Sequence, residues 1–489
     1  MNITRLGALA LTPLLVIACS DSSDRPSTPP AVACSGTAVT PERLFLQQLG
    51  SDRVIIKWRG NRDGGAEASA VCFGTDMSFL NEDSLTTASV TATGHSEALL
   101  EGLTPDTTYY YSVGGAGAAE ARHSFRTAPE TGELPADGNI RIWIVGDSGV
   151  NSQDNQYQGG ADLVRDGYLG WLDENGGEPA DLFLMLGDNA YPEGTDAEHQ
   201  VAVFETYPDL LASTGLWPTI GNHEMGTVGA SLSPDPESYA SVLGGEPDPA
   251  PDSPMPYLNI HTLPTQGETG GVASGTEQYY SFDYGSVHVV SLDSQLAARD
   301  PSNRQAMLQW LQDDLAANSS DWTIVIFHHP PYTKGSHDSD KPLGGLDQPI
   351  FDMREQFTPV FDEYGVDVVY SGHSHIYERS FYIGGHTGLS TSFDPQTQAE
   401  LNDAGQPASG RGDEEYSQIT RNGTDDKAVY TVAGNGGKAT DVADSFPHPA
   451  HFFSGLVIGS VVVDAAASSL TARFIDDKGD ELDSFTINR

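Results

Sequence analysis

The chain has 489 residues, enough for two or three domains with sizeable cores, and a hydrophobic content of 38% excludes wholesale disorder. Lys and Arg total 24 against 69 Asp and Glu, a formal charge of −45 that excludes broad, non-specific binding to nucleic acid or anionic membranes, because their phosphates are repelled. The same balance suits a secreted or salt-exposed surface, and any phosphate chemistry must supply its own local positive charge.

Residues 1–18 read as a secretory signal, with Arg5 as the positive flank and Leu9 to Ile17 as an apolar stretch too short to span a membrane. The end of this segment, Val16-Ile17-Ala18-Cys19, resembles the bacterial lipobox, which implies cleavage before Cys19 and lipidation of its thiol. An ordinary signal peptide that happens to end at a cysteine is the alternative. The expected location is therefore the envelope of a bacterium, with membrane attachment only through lipid, or secretion if the lipobox reading fails. Residues 19–36, rich in Ser, Asp and Pro, read as a flexible tether. An oxidising compartment permits a disulfide between the two remaining cysteines, Cys34 and Cys72; two free thiols fit the sequence equally well.

Residues 37–128 read as a small all-β sandwich. In Val54-Ile55-Ile56-Lys57-Trp58 the alternate positions Val54, Ile56 and Trp58 face one core. The turn Leu103-Thr104-Pro105-Asp106 and the following Tyr109-Tyr110-Tyr111 resemble the tyrosine-corner strand of fibronectin type III-like domains, with Ser124-Phe125-Arg126-Thr127 as the last strand. A Pro- and Gly-containing link, 129–138, follows. Beyond it, buried-type strands are predicted at Ile140–Val145, Leu182–Leu186, Thr323–Phe327 and Val366–Tyr370, and a strand pair around Gly285 over Tyr279–Asp293. Helical spacing marks Ala161–Leu172, Val201–Leu211 and Arg304–Leu315, and strands at Ala428–Val432, Val457–Val463 and Ser469–Phe474 close the chain. This order predicts a larger α/β sandwich over 139–489, β-sheets flanked by helices, with function at the strand ends. The Pro- and Gly-rich stretches Gly226–Gly275 and Gly384–Asn422 read as loops.

Five polar clusters follow those strands: Gly146-Asp147-Ser148-Gly149, Gly187-Asp188-Asn189-Ala190-Tyr191, Gly221-Asn222-His223-Glu224, His328-His329-Pro330 and Gly372-His373-Ser374-His375. Carboxylates, imidazoles and an Asn oxygen suit Fe, Zn, Mn or Co, and the candidates are too many for one ion but suit two.

In this order the five clusters resemble the calcineurin-like metallophosphoesterases. The tyrosine at Tyr191, the run Gly372-His373-Ser374-His375-Ile376-Tyr377-Glu378-Arg379 and the segment Tyr279-Tyr280-Ser281-Phe282-Asp283-Tyr284-Gly285 narrow the resemblance to the purple acid phosphatases. The resemblance implies a dinuclear centre. Fe(III) would be held by Asp147, Tyr191 and His375, and Zn(II), Fe(II) or Mn(II) by Asn222, His328 and His373, with Asp188 bridging and a hydroxide completing the site. A Tyr191 packed beside a colourless di-Zn or di-Mn centre is the alternative to ligation. His223 would reach the substrate phosphate. His337, in Lys334-Gly335-Ser336-His337-Asp338, resembles a second histidine near the leaving group, and an ordinary loop histidine is its bland counterpart.

His329 reads as packing or hydrogen-bonding support, Glu378 and Arg379 as anchors of the His-x-His loop, and His199, His288, His386, His448 and His451 as surface or structural histidines. The two ions outweigh the ligand charges and leave a locally cationic site in an acidic chain. The implied reaction is hydrolysis of small phosphate monoesters by metal-bound hydroxide, in the service of phosphate scavenging outside the cytoplasm. A phosphodiesterase or nucleotidase on the same site is the alternative. A non-catalytic envelope binding module with a vestigial site is disfavoured by the intact ligand set.

Overall fold

Short runs of branched and aromatic residues build two stacked sheets whose parallel strands end at a common edge. The computed structural model describes residues 39–62, 70–78, 82–85, 94–115, 123–152, 159–177, 179–225, 255–295, 301–341, 347–418 and 427–489; the signal segment, Cys19, the tether and Cys34 lie outside them. At the centre of a ten-stranded sheet, Asn139–Val145, Leu182–Met185 and Gly215–Pro218 run parallel. A seven-stranded sheet has Val287–Ser291, Trp322–Ile326, Val368–Ser371 and Ala428–Ala433 parallel at its centre. Ile142, Ile144 and Leu184 of the first share one core with Val289, Ile324 and Val368 of the second. Strands covered on both faces read as continuous apolar runs, which is why the sequence exposes them so clearly.

Helices cover the outer faces. Tyr168 of helix Ala161–Glu174 stacks on Trp143 at 4.6 Å, and Trp143 in turn stacks on Phe183. On the other side Met307, Trp310 and Leu311 of helix Pro301–Ala317 pack with Val290 and Val325. Among the described residues no helix is long and apolar enough to cross a membrane.

The N-terminal β-sandwich sets Arg43–Gln47, Arg53–Arg59 and Ser96–Glu101 against a four-stranded sheet containing Ala70–Gly74, Thr108–Val113 and Ser124–Arg126. Val54, Ile56 and Trp58 lie in its core, and the Tyr109 hydroxyl accepts the Thr104 N–H at 3.0 Å in a tyrosine corner. Cys72 is buried and disulfide-bonded. The opposite face of Arg53–Arg59 is buried too: the Lys57 ammonium donates to Thr262 Oγ1 at 2.6 Å. The reason is the topology. Leu46 pairs with Gly215, so the N-terminal strands extend the ten-stranded sheet of the α/β unit.

Three expectations need correction. The helix read over Val201–Leu211 is broken, because Pro208 has no N–H to give and disfavours helix at Tyr207; a π-helical turn, Gln200–Phe204, and a separate short helix, Pro208–Leu211, replace it. Both stretches read as loops carry structure: the described part of Gly226–Gly275 contains the helix Pro256–Ile260, and the stretch from Gly384 contains the helix Pro395–Gln398 and buries Phe393, Ala408 and Tyr416. Strands Tyr377–Ile383 and Glu481–Asn488 escape the apolar pattern because their inward positions carry Glu378, Arg379 and Asp483, all buried.

Candidate metal centre

Asp147, Asp188, Asn222, His328, His373 and His375 each follow a strand of the two sheets and meet at the shared edge. The turns that present them are tight. Asp147 and Asp188 both have φ of +53° and His373 of +65°, three of the five non-glycine residues in the left-handed region among the described residues. Such backbone costs roughly 1 kcal/mol or more at each residue and persists where the surroundings over-determine it. Glycines allow the loops to interlock. A Cβ on Gly221 would sit 2.2 Å from Asp188 Oδ1, and one on Gly372 2.3 Å from Asp147 Oδ2.

The seven ligand candidates gather into two adjoining sets. Tyr191 Oη lies 3.1 Å from Asp147 Oδ1, 3.2 Å from Asp188 Oδ2 and 3.2 Å from His375 Nε2. His328 Nε2 lies 3.1 Å from Asn222 Oδ1 and 3.3 Å from the same Asp188 Oδ2, and His373 Nδ1 is 2.9 Å from Asn222 Oδ1. One carboxylate oxygen therefore faces both sets.

Proton counting tests whether cations fit. His328 Nδ1 donates to the Leu186 carbonyl at 2.9 Å, so in the neutral ring Nε2 turns a lone pair toward two oxygen acceptors. His373 Nε2 faces Asp347 Oδ1 at 3.0 Å, which leaves Nδ1 as the lone-pair atom facing Asn222. Tyr191 has one hydroxyl proton for two carboxylate oxygens, with His375 Nε2 beside it. Lone pairs converging in two adjoining places are what two metal ions require, and the mixed carboxylate, phenol, amide and imidazole donors fit Fe, Zn or Mn.

The titration behaviour agrees. Burial alone would raise Asp188, yet His328 and His223 hold it well below the usual carboxylate range. Burial likewise lowers His328, but the Asp188 charge outweighs it and lifts the imidazole to about 9, a proton standing where a cation would serve. Burial and the neighbouring His337 keep His373 well below its ordinary value, neutral as a ligand must be. Burial, then Asp147 and Asp188, push the Tyr191 phenol well up, so ionising it needs a nearby cation.

Around this centre His223 donates its backbone N–H to Asp188 Oδ1 at 2.8 Å and its Nδ1–H to the Pro192 carbonyl at 2.6 Å. His337 stacks on His373 with ring centroids 3.8 Å apart. His329 is buried, bonds Ser294 Oγ at 2.9 Å and packs against His373, a supporting position outside both sets. His199, His288, His386, His448 and His451 are all buried, so none is a surface histidine. His288 bridges Asp283 and Asp314 at 2.7 and 2.9 Å, for example.

Four supports complete the arrangement. Glu224 accepts the N–H groups of Asp188, Asn189 and Gly221 at 2.7–2.9 Å and ties two ligand loops together; burial and the Asp188 charge raise its carboxyl to about 7. Its position two residues after Asn222 was the available signal. Glu378 accepts from Thr333 Oγ1 and Lys334 N, so it anchors the loop of His337, whereas Arg379 grips Asp483 in the facing sheet. Asp347 accepts from both His337 and His373, and nothing in its acid-rich surroundings marks it in the sequence. Finally, Arg43 and Arg59 of the N-terminal sandwich bind Asp196 at 2.8 and 2.7 Å, pinning the segment that follows Tyr191.

Residues 140–377 match the calcineurin-like phosphoesterase family and residues 41–127 the purple acid phosphatase N-terminal domain. The chain is similar to the probable purple acid phosphatase 20 of Arabidopsis thaliana, with 24% identity over 69% of each chain. It is 30% identical to purple acid phosphatase 22 of the same plant over 57% of this chain, and 26% identical to an uncharacterized protein of Mycobacterium tuberculosis over 60% of it. The chain spans about half the length of each of these last two relatives. In fold it is similar to purple acid phosphatase PPD1 from yellow lupin (Lupinus luteus) seeds, with a TM-score of 0.64 and 18% identity, covering 92% of this chain and 75% of that one. A structure of PhoD gives a TM-score of 0.59 with 14% identity, covering 93% and 91% of the two chains.

Proposed function

We propose that this chain, a purple acid phosphatase-like metallophosphoesterase, hydrolyses small phosphate monoesters at a dinuclear centre whose first ion is Fe(III) and whose second is Zn(II), Fe(II) or Mn(II). Asp147, Tyr191 and His375 would hold the first ion, Asn222, His328 and His373 the second, and Asp188 both. The observation that carries this reading is Asp188 Oδ2, which lies 3.2 Å from Tyr191 Oη in one set and 3.3 Å from His328 Nε2 in the other. Bound ions would polarise the phosphoryl oxygens and acidify the attacking water. His223 is fixed by its Nδ1–H bond to Pro192, which leaves Nε2, 3.8 Å from Asp188 Oδ2, to meet a phosphoryl oxygen. The acidic surface does not forbid an anionic substrate, since salt screens charges beyond about 8–10 Å.

Turnover of metal-replete protein on matched mono- and diesters, with metal content measured on the same sample, tests the reading. Monoester kcat/KM should exceed diester kcat/KM. The reverse order would assign a diesterase, and no turnover of either would assign a binding module. Tyr191 gives an independent optical test. A phenolate on Fe(III) produces a visible charge-transfer band, so iron-loaded protein should be coloured. Tyr191→Phe should lose the band while keeping part of the hydrolysis, because six ligand side chains remain. A colourless iron-replete protein would remove Fe(III)–phenolate ligation and leave the phosphoesterase site in place.

We also infer a lipid-anchored envelope location. The support is the Val16-Ile17-Ala18-Cys19 sequence, since residues 1–38 lie outside the described residues. Cys19→Ser should prevent incorporation of labelled fatty acid and move the protein to the soluble fraction. One acyl chain binds a membrane only marginally, so stable anchoring requires more than one. Wild-type protein that takes up no label would make the product a secreted one.

A further inference from the structure

Asp347 holds an unusual position. It is fully buried, and a single oxygen, Oδ1, lies 2.8 Å from His337 Nδ1 and 3.0 Å from His373 Nε2. The two imidazoles lie one above the other, with centroids 3.8 Å apart and planes inclined by 30°. Asp347 also occupies the N-cap position of the short helix Gln348–Asp352, where an aspartate ordinarily accepts the first backbone N–H groups. Here the carboxylate makes no capping bond and turns to the two histidines instead. A residue kept for the helix would do the opposite.

We propose that Asp347 is the positioning residue that sets the hydrogen-bonding state of both halves of the site at once: metal ligation by His373 and proton delivery by His337. A carboxylate accepts but does not donate, so each histidine nitrogen facing it must be the N–H. His373 is thereby fixed with its proton on Nε2 and its lone pair on Nδ1, the atom that faces Asn222. A histidine ligand whose second nitrogen donates to a carboxylate is more basic and is fixed in rotation. His337 is fixed with a proton on Nδ1, which makes Nε2 the atom that exchanges protons with the substrate. As the bond between phosphorus and the water oxygen forms and the bond to the leaving oxygen breaks, the imidazolium of His337 passes its Nε2 proton to the departing alkoxide. It ends as neutral imidazole with Nδ1–H still on Asp347. Sharing one oxygen and one stack means that neither ring can rotate without disturbing the other.

This inference rests on the hydrolase reading for its His337 half and on metal binding alone for its His373 half, so two readouts separate them. The first is Zn(II) affinity at the weaker site, measured by chelator competition. Asp347→Ala should weaken it about 10–100-fold, the size found for lost carboxylate partners of ligating histidines, while iron at the first site stays bound. Asp347→Asn, which keeps an acceptor oxygen, should recover part of the affinity. The second is leaving-group dependence at saturating metal. The loss of kcat should be at least about tenfold greater with glycerol 2-phosphate, whose alkoxide needs a proton, than with 4-nitrophenyl phosphate, whose phenolate does not. In a His337→Gln background that difference should vanish on adding Asp347→Ala, whereas the Zn(II) effect should persist. Unchanged Zn(II) affinity in Asp347→Ala would overturn the His373 half. An equal loss on both esters, or a leaving-group effect undiminished in the His337→Gln background, would overturn the His337 half. If the wild type hydrolyses no ester, the hydrolase reading falls with the His337 half, and the Zn(II) result still decides the other.

Discussion

Asp188→Ala should lose most of both metal ions and lower turnover at least about a thousandfold, because several kcal/mol of transition-state stabilisation go with the ions. Among the described residues no other side chain spans the two ligand sets: its Oδ2 lies within 3.3 Å of both, and its Oδ1 holds the backbone N–H of His223 at 2.8 Å. The substitution also strips a buried cluster of a negative charge that two bound cations would need. Asp188→Asn separates the two contributions. The amide oxygen still accepts from His223, so the loop should keep its shape, but the neutral group cannot balance two cations. Elemental analysis alongside kcat/KM measures both quantities. The comparison that gives the result its meaning is His223→Ala, which should keep both ions and lower kcat, since this ring lies outside both sets. Full occupancy and ordinary turnover in Asp188→Ala would dissolve the dinuclear assignment. Metal loss in His223→Ala equal to that in Asp188→Ala would make His223 a ligand.

The five candidate clusters were legible because each follows an apolar run or a Gly turn, and short polar motifs there have few structural reasons to exist; the part each residue would play at a metal is what the family resemblance implies. Asp147 after Ile140–Val145, Asp188 after Leu182–Leu186 and His328 after Thr323–Phe327 are of this kind. Tyr191 could be read from its three-residue spacing from Asp188, and the structure brings its hydroxyl within 3.2 Å of that carboxylate. Less was legible where a residue acts across the fold. Asp347 sits ten residues from His337 and twenty-six from His373, and among 69 acidic residues its proximity to either is invisible without the tertiary structure. The continuity of the N-terminal sandwich with the larger sheet depends on the meeting of Leu46 and Gly215, which no local pattern encodes. Strand Tyr377–Ile383 was hidden for a different reason. Its charged residues break the apolar signature, and they do so because they are bonded inside the core.

Asp483→Ala should destabilise the fold by about 3–5 kcal/mol, the cost typical of removing one partner of a buried ion pair. Arg379 and Asp483 are both fully shielded from solvent and meet in two bonds, Nε to Oδ2 at 2.6 Å and Nη2 to Oδ1 at 2.9 Å. Burial disfavours the guanidinium charge, but Asp483 outweighs it and holds Arg379 above its ordinary range; a guanidinium is too basic to give up its proton when that partner is removed. Tyr377 adds its hydroxyl to Asp483 Oδ2 at 3.0 Å and stacks on Phe474 at 3.9 Å. The pair joins strand Tyr377–Ile383 of the seven-stranded sheet, which starts two residues beyond the candidate ligand His375, to Glu481–Asn488 of the ten-stranded one. Without Asp483 the charge of Arg379 is left inside the core, and Arg411, which also reaches Asp483, can turn to solvent because its side chain is 39% exposed. The double substitution Arg379→Met with Asp483→Leu removes both charges and restores apolar contact, so it should recover most of the lost stability. Denaturant midpoints of the three proteins measure this. Asp483→Ala as stable as the wild type would mean that the two sheets are held together by their apolar core alone. A double variant as unstable as the single one would mean that the bonds of Tyr377 and Arg379, rather than the stranded charge, set the cost.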